Sequence, residues 1–200
     1  MNKSQRVNAF LGKCLKTLIK NEVTAEFINQ RNIDCGGLAV SGYFDETERV
    51  IRIGAKRSDW FPLFLHEYCH FCQWKEGKFT DLDDIEDLDD WYKPDCLYDY
   101  ETAEQLTRLY QKVELDCEKR VVRLIRKHKL PIDVEDYIRQ ANAYVYLYNL
   151  ALEKKQWIGK GPSGSKKLKG LSPPTFQRDY RVCPADFRKY ALRYCFPKDK

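Results

Sequence analysis

His66-Glu67-Tyr68-Cys69-His70 sets two of the chain's three histidines four residues apart, with a glutamate beside the first. On a helix of 3.6 residues per turn, His66 and His70 project from one face, one turn apart, and can share one Zn²⁺. Glu67 stands beside that face, where it can polarise a metal-bound water without ligating the ion. The neighbours favour a helix. Asp59 suits an N-cap, Pro62 falls in the first turn where its missing N–H costs nothing, and Gly77 offers a stop. Phe61, Phe64, Leu65, Tyr68, Phe71, Cys72 and Trp74 make the helix apolar almost all round, so it should be buried. A buried helix carries two imidazoles and a carboxylate cheaply only if they are paired or bound to metal.

Outward from the motif, the pattern alternates between helix and strand. Apolar positions from Gln5 to Asn21 (Val7, Phe10, Leu11, Cys14, Leu15, Leu18, Ile19) fit an amphipathic helix. Leu38–Phe44 and Val50–Ile53, joined by the polar turn 45–48, read as a β-hairpin, and Leu38–Phe44 could present its edge to an extended peptide. Tyr100–Lys129 is the longest helical pattern. Pro131 separates it from a further helix over Val134–Lys154, and Pro184–Tyr194 predicts a last short one. Gly159-Lys160-Gly161-Pro162-Ser163-Gly164-Ser165 opens what reads as a flexible basic linker reaching Pro173-Pro174. The expected architecture is an α+β fold, mostly helical, with a small β-hairpin or sheet packed on the motif helix. Residues 1–158 form its domain, and 159–200 form a basic Gly/Pro-containing tail with a C-terminal helix.

Composition narrows the function classes. With 43% hydrophobic and 14% aromatic residues, the 200-residue chain cannot be wholly disordered. Its first residues lack the apolar stretch of a signal peptide, and no run approaches the roughly eighteen apolar residues of a membrane span. The expected location is the cytoplasm, where the eight cysteines are free thiols. Cys69 and Cys72 form a CxxC without the second pair a structural zinc site needs. The net charge of +5 hides an asymmetry: 80–104 holds eleven acids against one Lys, and 154–200 holds thirteen basic residues against three acids. The acidic run (Asp81, Asp83, Asp84, Glu86, Asp87, Asp89, Asp90) lacks the spacing and central Gly of a calcium loop and reads as a solvated segment. Charge alone makes nucleic acid a weak candidate partner for the basic tail.

A hydrolytic zinc site takes three protein ligands and keeps a position for water. His128 lies just before Pro131 at a helix end. Glu114-Leu115-Asp116-Cys117-Glu118 is the better source, with Glu114 and Glu118 one turn apart on the inward stripe. HExxH followed some forty residues later by a helical Glu-x-x-x-acid resembles the gluzincin group of zinc metallopeptidases. The order of elements is similar to minimal zincin-like domains of the ImmA/IrrE type. The resemblance covers about Gly36 to Arg126 and implies Glu114 as the third ligand, with Glu118 orienting a zinc-bound histidine. Glu118 stands where Asp is usual and Cys117 where Ala is usual, so the roles of Glu114 and Glu118 could be exchanged.

The activity implied is hydrolysis of a peptide or protein substrate by a zinc-activated water, with Glu67 as general base. Tyr43, Tyr144 and Tyr148 are candidate oxyanion donors, although tyrosine stripes are usually core packing. The alternative keeps the scaffold without catalysis, as a zinc-stabilised binding or regulatory module.

Overall fold

A computed structural model describes residues 2–79 and 88–196. It is an α+β fold, mostly helical with a small sheet. Two compact units divide the chain: Met1–Thr80 with Cys117–Ile132, and Asp81–Asp116 with Asp133–Lys200. The expected boundary after residue 158 is not where this division falls. Among the described residues no helix is long and apolar enough to cross a membrane.

The first unit opens with α1 (Lys3–Lys20), started by a capping box in which Asn2 and Gln5 exchange side-chain and backbone hydrogen bonds. Phe10, Cys14 and Leu18 form its buried stripe. Five strands follow: β1 (Thr24–Ile28), β2 (Ile33–Cys35), β3 (Leu38–Val40), β4 (Gly42–Asp45) and β5 (Val50–Gly54). β5 is the central strand of a β1-β5-β4 sheet, parallel to β1 and antiparallel to β4. Val50, Ile51 and Ile53 are all buried, as a strand covered on both faces requires. The stretch expected as one strand over Leu38–Phe44 is two: β3 turns back to pair with β2, and β4 alone pairs with β5. Gly54 closes β5 where a Cβ would lie 2.4 Å from the Arg31 carbonyl oxygen, so only glycine lets the chain pass.

α2 (Trp60–Lys75) lies against β4 and β5. Asp59 occupies its N-cap position but makes no side-chain cap bond, because both carboxylate oxygens accept from Arg57 at 2.8 Å. An aromatic row of Phe64, Tyr68, Phe71 and Trp74, joined by Phe27 and Phe44, packs with ring centroids about 6 Å apart. Phe64 and Phe71 are fully buried in it. The C-terminal part of α4 (Tyr100–His128) completes this unit with buried Cys117, Val121, Val122 and Ile125.

The second unit contains α3 (Leu88–Trp91), the N-terminal part of α4, α5 (Val134–Lys154), α6 (Lys166–Gly170) and α7 (Ala185–Tyr194). α5 begins on an Asp133 side chain that accepts from the Asp136 N–H. The expected flexible tail is instead core-forming. Leu168, Phe187, Ala191, Cys195 and Phe196 bury themselves with Ala143, Leu147 and Leu150 of α5. Ser165 caps α6, and fully buried Asn142 donates to the carbonyls of Pro173 and Thr175 at 2.8 Å, which fastens the Pro-Pro segment down. Of the acidic run, Asp89 and Asp90 fall in α3, whereas Asp81, Asp83, Asp84, Glu86 and Asp87 lie outside the described residues.

Candidate metal centre

α2 turns His66 and His70 toward each other, with ring centroids 4.6 Å apart and the two Nε2 atoms 3.0 Å apart. Two nitrogens bound at about 2.0–2.1 Å to one tetrahedral ion stand about 3.3 Å apart, so this pair is close to ligand spacing before any ion arrives. Each ring is held from its other side. His66 Nδ1 lies 3.3 Å from Glu118 Oε1, and His70 Nδ1 lies 2.9 Å from Gln73 Oε1.

Those acceptors test whether the pair suits a metal. A carboxylate and an amide oxygen only accept, so each imidazole turns its Nδ1–H outward. With both Nδ1 positions protonated, neutral rings would leave two Nε2 lone pairs facing each other. That repulsion is relieved by a cation between them, and the residues fit one. Side-chain atoms of His66, His70 and Cys117 lie within 4.8 Å of one another, as do those of His66, Glu114 and Glu118. This His/Glu group could hold a metal ion.

The acidic members come from α4. Arg120 donates to both Glu76 oxygens at 2.8 and 2.7 Å, tying this helix to the end of α2. That contact brings Glu118, itself buried, to His66. Cys117 is fully buried and packs at the base of His66, its thiol donating to the His66 carbonyl at 3.2 Å and standing 3.6 Å from Nδ1. It therefore stands on the Nδ1 side of the His66 ring, with a ligating nitrogen of His70 also within 4.8 Å. Glu114 precedes Glu118 by one turn of the same unbroken helix. Among the described residues, the two possible ligand sets meet at His66, and neither contains both histidines and Glu114.

Glu67 is buried beside the pair. Burial raises its pKa, with Glu118 adding to the rise, while His66 and the Phe44 backbone N–H oppose it. The Phe44 contact follows from the strand register. Gly54 N–H donates to Ser41 O, so antiparallel alternation turns the main-chain groups of Tyr43 toward β5 and those of Phe44 toward the outer edge. An edge N–H is thus spent on holding Glu67.

The candidate oxyanion donors and the third histidine each have neighbours of their own. The Tyr43 hydroxyl accepts from Arg52 Nη1 at 2.7 Å, and Arg52 also pairs with Glu26 and Glu48. Tyr144 and Tyr148 belong to the aromatic cluster of the second unit. There Tyr148 is buried against Tyr110, the edge of Tyr144 and Trp157. Burial pushes the Tyr148 hydroxyl well up, and nearby Tyr144 and Glu114 add to this. His128, set aside as a ligand, packs on Phe10 with ring centroids 4.5 Å apart. All eight cysteines are free. Gln73 escaped the sequence reading. The available signal was a lone amide three residues after His70 on an otherwise apolar helix, a spacing that stacks side chains on one face. The chain matches no known protein family, no curated protein and no solved structure.

Proposed function

We propose that this chain is a zinc-dependent metallopeptidase of minimal zincin-like architecture. The observation that carries the reading is the convergence of His66 and His70 through Nε2, each held from behind at Nδ1, with buried Glu67 beside them. A purely structural site has no need of that extra carboxylate. His66, His70 and Glu114 would hold the ion, and Glu118 would orient His66. Zn²⁺ there supplies Lewis acidity, which lowers the pKa of a water and polarises a carbonyl. Glu67 takes the proton from the attacking water and passes it to the leaving amine. Burial moves its pKa upward, the direction that makes a carboxylate a better proton acceptor. Eight free thiols suit the reducing cytoplasm as the location.

One observation favours the second reading, a non-catalytic zinc-stabilised binding or regulatory module. Buried Cys117 shares a possible ligand set with both histidines, and a fourth protein ligand would close the site to water. Glu67→Gln separates the two readings. Metal content and melting temperature should be unchanged, while cleavage of a peptide library, followed by mass spectrometry, should disappear. Cleavage that survives in Glu67→Gln refutes the assigned base. A zinc-loaded wild type that cleaves nothing in a broad library supports the module.

A further inference from the structure

We propose that Gln73 is the positioning residue of His70. Its amide oxygen holds the Nδ1 proton, so the Nε2 lone pair is presented to the ion. This inference rests on the metal reading above.

An imidazole binds a metal through a bare nitrogen, and the hydrogen bond at the other nitrogen decides which one is bare. For His66 that partner is Glu118 on α4. For His70 it is Gln73, at 2.9 Å, from one turn further along α2 itself. Gln73 is 3% exposed, and a buried amide is costly unless it is hydrogen-bonded. Without that acceptor, neutral His70 is free to carry its proton on Nε2, the form that cannot ligate through the nitrogen facing His66.

The helix end fixes the aim of the amide. The Gln73 carbonyl accepts from the Lys78 N–H at 3.0 Å, and the Trp74 carbonyl accepts from the Gly77 N–H at 2.9 Å. With Gly77 at φ +62°, this is the paired-bond, left-handed helix stop known as the Schellman motif. Gln73 is the residue on which that stop closes, so its backbone is held at a point where a fraying helix would otherwise lose it. The two histidines thus draw their orientation from different sources: His66 from a residue distant in sequence, His70 from the local stop of its own helix.

The test uses the whole protein with Zn²⁺ alone as ligand. Gln73→Met keeps the volume and removes the acceptor, whereas Gln73→Glu restores an acceptor. In competition with a chromophoric chelator, Gln73→Met should bind zinc about 10–100-fold more weakly than wild type, and Gln73→Glu should recover most of the loss. Histidine-selective ¹⁵N spectra of the zinc-loaded wild type should show a His70 Nδ1–H protected from exchange. That measurement holds even if Gln73→Met fails to fold. Wild-type affinity in Gln73→Met, no recovery in Gln73→Glu, or a freely exchanging Nδ1–H in wild type each overturns the assignment and leaves the metal reading standing. A wild type that binds no zinc overturns both.

Discussion

Removing the Glu118 carboxylate should weaken metal binding without abolishing it, and removing Glu114 should do more. Glu118 Oε1 lies 3.3 Å from His66 Nδ1, and the two side chains are only 9% and 17% exposed, so water can replace the lost acceptor poorly. Glu118→Ala leaves a buried donor short of its partner, at a cost of about 1–3 kcal/mol. At about 1.4 kcal/mol per factor of ten, that is roughly 5–150-fold, the range expected when a residue orienting a ligand is lost. Glu118→Gln keeps an acceptor oxygen and should fall between wild type and Ala. Glu114→Ala removes a ligand outright, leaving two imidazoles on the ion, and should lose zinc to a chelator faster than Glu118→Ala. The assay is chelator competition at constant pH, with apo-protein melting measured alongside to separate folding from binding. If Glu118→Ala proves the weaker metal binder, the roles are exchanged: Glu118 reaches the ion and Glu114 orients. If neither variant changes affinity, neither carboxylate of α4 contributes to the site.

Two further outcomes test the packing. Phe71, fully buried between Phe44, Tyr68 and Trp74, should cost about 3–5 kcal/mol when cut to Ala, read as a lower urea midpoint; Leu97→Ala, at 97% exposure, should stay within about 0.5 kcal/mol. Equal effects at the two positions would contradict the core assigned to α2. Burial, reinforced by neighbouring thiols, pushes Cys14 and Cys72 up to about 12, whereas an ordinary thiol titrates near 8.5. At pH 8 about one in ten thousand of each is then thiolate, so mass spectrometry should find native alkylation slower than in urea by roughly three orders of magnitude. The folded state keeps protons that the unfolded chain releases above about pH 8.5, so stability should fall as pH rises past that point. Native alkylation as fast as in urea would refute their burial.

What could be read locally came out of the sequence alone. Helices declare themselves by a 3.6-residue period within one segment, so α5 was legible over Val134–Lys154 and α4 to within a residue. His66 and His70 share a face for the same reason, because four residues on a helix need no other part of the chain to meet. Partners that meet only through folding were not legible. Thr24–Ile28 shows no clean alternation, and its role as β1 comes from parallel pairing with β5, some twenty-six residues on. Gly, Ser and Pro after residue 158 signal local freedom, yet Leu168 and Phe187 find a core on α5 that composition cannot display. At the site, an inward stripe on α4 named Glu114 and Glu118 together. Only the Arg120–Glu76 tie and the approach of the two helices set Glu118 at His66 Nδ1. A ligand's chemistry is local, but its orientation depends on which neighbour faces its second nitrogen, and tertiary packing supplies that neighbour.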